Sequence, residues 1–141
     1  MQININNIVV PDYFSPPADG KYDAHLHYYM KHGVPAGEIR VDCNDNLTDG
    51  YIDYLILKSA GKQVIDVVEE KNVTKYVFGK HDGHPKEYVW KMPAAARDTE
   101  IEIGEKVFVE TVNGPMPVTV TRVTVAGISP VPHPVKKVVR W

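Results

Sequence analysis

The spacing of apolar positions changes period several times along this chain, and each change marks an element. Ile3 to Val10 alternates and then runs continuously apolar up to Pro11, which predicts a short first strand. Residues 12–20 carry Pro16-Pro17 and Asp19-Gly20 and read as a loop. From Lys21 to His32 the period is helical, with Tyr22, Leu26, Tyr29 and Met30 as the apolar stripe. Asp19 or Gly20 can cap that helix, and Gly33 stops it, with Pro35 just beyond. Glu38 to Asp42 reads as a second strand. An acidic turn with Asp49-Gly50 follows, then a short helix carrying Tyr51, Tyr54, Leu55 and Leu57, a C-cap at Gly61, and a strand over Val64 to Val68. The order β–α–β–α–β is that of a small α/β unit.

Beyond Glu70 the period becomes two. Thr74 to Phe78, Glu87 to Lys91, Lys106 to Thr111, Pro117 to Val125 and Lys137 to Trp141 are rich in β-branched and aromatic residues, and turn signals separate them. Asn113-Gly114 is a hairpin signal between the third and fourth. Five short strands in so few residues predict a small closed or partly open barrel. The expected fold class is α+β: a small α/β unit over residues 1–70, then a compact antiparallel β-barrel over residues 73–141.

The strand, Asp49-Gly50 turn, helix, Gly61 and strand resemble the core of the ParB/sulfiredoxin-like domain over residues 3–70. In ParB-type domains the resemblance implies a Gly-x-x-Arg box whose guanidinium holds nucleotide phosphate. Here the box reads Gly50, Tyr51, Ile52, Asp53, and an acid repels a phosphate that an arginine would grip through two hydrogen bonds. Sulfiredoxins need a cysteine in a Gly-Cys-His-Arg turn. The single cysteine here, Cys43, is flanked by Asp42 and Asp45, whose charges disfavour a thiolate. The resemblance implies a ParB-like fold and speaks against both enzymatic activities. The barrel resembles uncharacterised phage and mobile-element proteins.

Charge sharpens the division. Residues 1–70 hold 5 Lys/Arg against 11 Asp/Glu, a net of −6, whereas residues 71–141 hold 11 against 7, a net of +4. The overall −2 is too weak for a dedicated non-specific DNA binder, but the second half can meet phosphate locally. No apolar run approaches the ~20 residues that span a bilayer, so no membrane partner is expected. A lone cysteine and the lack of a signal-like N-terminus point to the cytoplasm.

Several constellations are candidates for chemistry. His25 and His27 diverge by about 200° on a helix and cannot share an ion. His25 and His32 share a face, but no nearby acid completes a set. His81, Asp82 and His84 are weak metal candidates on a loop, against the alternative of a polar hairpin tip. Asp42, Asp45, Asp49 and Asp53 read chiefly as turn chemistry, with Asp53 notable for its place in the box. No nucleophile elbow, phosphate loop or cofactor motif is present, and no cofactor is expected. Tyr76, Phe78, Tyr88, Trp90 and Phe108 lie on strands beside Lys75, Lys80, Lys86, Lys91 and Lys106, an interleaving that suits single-stranded nucleic acid unless Trp90 is core. Tyr28 is an expected exposed contact residue.

The expectation is therefore a non-enzymatic accessory protein of a phage or mobile element. Nucleic acid, or a nucleic-acid-handling protein, would contact Lys80, Lys86, Lys91, Trp90, Tyr88, Tyr28, Asp49 or Asp53. One alternative is an anti-defence inhibitor of a host nuclease, presenting carboxylates where phosphates would lie. Another is a metal-dependent nucleotide hydrolase or nuclease in which Asp49, Asp53 and His81 converge.

Overall fold

The computed structural model describes residues 1–141, which form two compact units, Met1–Asn72 and Val73–Trp141. The fold is α+β, with two helices and ten strands.

The first unit runs β1 (Gln2–Asn4), α1 (Asp19–His32), β2 (Arg40–Val41), β3 (Leu47–Asp49), α2 (Tyr51–Ser59), β4 (Val64–Asp66) and β5 (Val68–Glu69). Strands β1 and β4 pair antiparallel, while β3, β2 and β5 form a mixed sheet in which β2 and β5 are parallel. Its core gathers Ile5, Ile8, Ile39, Val41, Leu47, Tyr54, Leu57, Ile65 and Val67.

Four expectations for this unit are corrected. The first strand stops at Asn4, because the Asn4 side chain accepts the Asn6 N–H (2.9 Å) and turns Ile5–Asn7 into a 3-10 helix. Ile5 and Ile8 then fall on one side of that turn, and both are buried. The reversal after β2 lies at Asp42–Asn46 rather than at Asp49-Gly50. Buried Asp42 accepts the N–H groups of Asn44 (2.9 Å) and Asn46 (3.0 Å), and Asp45 takes a left-handed φ of 62°. The expected single strand at Val64 to Val68 is two, as its halves pair with different partners. Finally, the stripe of α1 is rotated: Tyr22, His25, Leu26 and Tyr29 are the part-buried positions, and Met30 is 76% exposed.

Helix α2 begins where β3 ends, at Gly50 with φ 85°. A side chain there would strike the Glu38 carbonyl oxygen and lie 2.8 Å from Ile39 Cα, so the strand-to-helix junction requires glycine. The helix ends in a Schellman motif, with the Gly61 N–H donating to Lys58 O (3.1 Å) and the Lys62 N–H to Leu57 O (3.1 Å).

The second unit contains β6 (Thr74–Lys80), β7 (Tyr88–Lys91), β8 (Lys106–Val109), β9 (Met116–Ala126) and β10 (Val138–Arg140). They form one curled antiparallel sheet in the order β10-β8-β9-β6-β7. Its edges approach each other at a single parallel bridge between Lys91 and Lys137, where the Lys91 N–H donates to Lys136 O (2.9 Å). The Glu110 N–H grips Lys137 O from the other side (2.9 Å). Val77, Trp90, Met92, Ile101, Val107, Val109, Val118, Val120 and Val138 fill the interior.

Candidate nucleic-acid interface

Alternation along the strands decides which barrel residues are available to a ligand. Trp90 points inward, is 5% exposed, and donates its indole N–H to Glu110 O (3.1 Å). It is a core residue and offers no ring to a stacked base. Lys91, its neighbour, therefore points outward. Across the seam, Val138 is fully buried, so Lys137 also points outward, beside Lys91.

The outer surface pairs cations with aromatic rings. Arg122 lies 3.8 Å over the ring of Phe78, its cross-strand partner between β9 and β6. Arg140 lies 4.0 Å over Phe108 across β10 and β8, and Lys86 stands 4.8 Å over Tyr88 at the β6–β7 hairpin. Tyr88 is 43% exposed and Trp141 51%, the two open rings of the barrel. Lys80 is exposed at the end of β6. Glu87 offsets one of these cations, lying 3.6 Å from Arg122 and accepting the Thr121 hydroxyl (2.5 Å).

Beside the Lys91–Lys137 seam is a cleft of about 260 Å³ lined by Val73, Lys75, Lys91, Met92, Arg97 and Lys137, among others. Of its four cations, the interleaving of lysines with aromatics in the sequence includes Lys75 and Lys91, but not Arg97 or Lys137. Lys75 and Arg97 lie on the opening of β6 and in the loop after a 3-10 turn (Ala94–Ala96), and only the fold brings them to Lys91.

Of the other candidates, Asp49 and Asp53 line one small cleft of about 260 Å³ with His25. His81 and His84 have ring centroids 6.5 Å apart and perpendicular, but Asp82 is taken by Lys106 (2.9 Å). No three His, Cys, Asp or Glu side chains gather where they could hold a metal ion. The hairpin tip is instead an aromatic cluster, with His81 edge-on to Trp90 at 5.7 Å and to Tyr88 at 5.9 Å. Tyr28 is 40% exposed on α1, with its ring 4.3 Å from that of His32. Asp49 accepts the Gly50 N–H (2.8 Å) at the start of α2. Asp49 and Asp53 belong to the first unit and His81 to the second.

Asp53 is not a surface contact. It is 3% exposed and accepts the N–H of His25 Nδ1 (2.9 Å) on α1 and the Gly37 N–H (3.2 Å). Asp53, 28 positions away, gives His25 an acid partner and ties α1 to α2, without completing a metal set. His25 falls on the Tyr22, Leu26 and Tyr29 face at helical spacing, which marks it as inward-facing but does not name its partner.

Residues 74–141 match a family of unknown function, DUF5839. The matched segment starts at the first residue of β6 and spans every strand of the barrel. No curated protein and no solved structure matches the chain.

Proposed function

We propose that this is a non-enzymatic accessory protein whose barrel binds single-stranded nucleic acid. The carrying observation is the outer surface of the barrel, where Lys86, Arg122 and Arg140 each lie over an aromatic ring and Tyr88, the ring beneath Lys86, is still 43% exposed. Stacking on an open ring suits any base, while flanking cations neutralise phosphate, and together they favour single strands without sequence preference. The acidic first unit, whose connections resemble those of ParB-like domains, would repel phosphate and keep the strand on the barrel. A phage or mobile-element setting fits the resemblance of both units.

Fluorescence anisotropy with a labelled thymidine oligonucleotide, against a duplex of equal length, tests this reading. Single strands are expected to bind more tightly than duplex and to weaken steeply with salt. Tyr88→Ala should cost about 1–3 kcal/mol of binding, the usual worth of one stacked base. Absence of binding at low salt, or equal binding by Tyr88→Ala, would overturn it.

A further inference from the structure

We infer that the cleft at the barrel seam is a phosphate-binding site; the identification of that phosphate as part of a single strand rests on the function proposed above. Its four cations, Lys75, Lys91, Arg97 and Lys137, reach it from β6, β7, the loop after the 3-10 turn, and the segment leading into β10. Two are held in place by neutral acceptors. Lys75 Nζ donates to Thr99 O (2.5 Å), and Arg97 Nη1 donates to Val73 O (3.2 Å). Carbonyl oxygens fix these side chains without cancelling their charge, so the positive field is pre-organised. Lys91 and Lys137 enter no ion pair, and the one carboxylate at the rim is the fully exposed Asp98, 4.0 Å from Arg97 Nε.

A concave wall concentrates that field, and the ligand that best answers it is a compact, multiply acceptor-bearing anion. Phosphate fits on charge and on its fork-like match to the Arg97 guanidinium. The cleft, at about 260 Å³, is smaller than pockets that enclose whole drug-sized ligands, which limits it to a phosphate and part of its sugar. Met92, Pro93, Ala94 and Val73 supply apolar wall, and beside the four cations only Thr74 brings a polar side chain. A site so dominated by cations is expected to hold phosphate more than to read bases.

The seam explains why the cations converge. Lys91 and Lys137 are bridge partners where the sheet edges meet, so their outward side chains must lie together despite their like charge. A bound phosphate relieves that repulsion.

The test uses the full chain, with Lys91→Glu/Lys137→Glu and Arg97→Gln as cleft variants and Lys86→Glu as a hairpin control. Each is titrated with a thymidine oligonucleotide and, separately, with pyrophosphate followed by amide chemical shifts, which also report folding. The inference predicts at least a tenfold loss of oligonucleotide affinity in the double variant. It also predicts a salt slope shallower by roughly 0.7, the share of the one phosphate that the cleft holds on a single strand. Pyrophosphate should move the Lys91, Lys137 and Arg97 amides in the wild type and not in the double variant. Oligonucleotide binding that survives in the cleft variants but falls in Lys86→Glu overturns the cleft and leaves the proposed function standing. Pyrophosphate binding without oligonucleotide binding keeps a phosphate site but removes the strand as its source. If neither binds, both readings fall.

Discussion

The two units handle charge in opposite ways. In residues 1–72 two carboxylates are buried, Asp42 at 2% and Asp53 at 3% exposure, and each organises backbone around it. Asp42 shapes the β2–β3 turn, while Asp53 ties α1 and the Gly37 amide to α2. In residues 73–141 no charged side chain is buried; the interior is apolar, and the cations lie over rings or around the seam cleft. One unit buries charges to organise its backbone, while the other keeps its charges at the surface, in pairs such as Lys106–Asp82 and Arg122–Glu87 or over aromatic rings. Surface cations can meet a ligand, and this contrast is what favours the barrel in the binding proposed above.

Substitutions that break the contrast should differ in size. Trp90→Ala removes the largest interior side chain of the barrel and is expected to cost roughly 3–5 kcal/mol, read from urea or thermal unfolding. A loss below about 1 kcal/mol would mean that Trp90 is not core. Gly50→Ala puts a side chain against Glu38 and Ile39 in a left-handed backbone, and about 3 kcal/mol of destabilisation is expected. Asp53→Ala strands the His25 and Gly37 donors, at roughly 2–3 kcal/mol, and Asp53→Asn should recover part of that. Equal stability of Asp53→Ala and wild type would remove the buried acid from its structural role. The smallest change is expected from Lys91→Glu, which should alter stability by no more than about 0.5 kcal/mol because its side chain points outward. Loss of folding in that variant would contradict the separation of stability from binding.

The same contrast explains how much of the molecule was legible from its residues. Every barrel strand was legible, because each is a β-rich run bounded by turn signals such as Asn113-Gly114. Val77, Trp90 and Val138 fill the interior as alternation predicts, while Tyr76 and Phe78 on the other face of β6 are buried in a second cluster with Ala126. The first unit was legible in its helices and in the Gly50 and Gly61 punctuation, but not in its strands. Its strand ends are set by side chains bonding to backbone, as at Asn4 and Asp42, and hydrophobic periodicity does not register those bonds. The His25–Asp53 pair was hidden for a related reason, since a histidine on an apolar stripe carries no mark of a partner distant in sequence. In the candidate site, the local pair Lys86 and Tyr88 was visible. The cleft was not, because its four cations meet only through the seam and the loop that carries Arg97.

The most direct measurement is the salt dependence of single-strand binding by the full chain and by Lys91→Glu/Lys137→Glu. The account predicts a steep negative slope of log affinity against log salt in the wild type. The slope should be shallower in the variant by roughly the share of one phosphate contact, with unfolding stability unchanged. Identical slopes in the two proteins, or no binding by either at low salt, would contradict it.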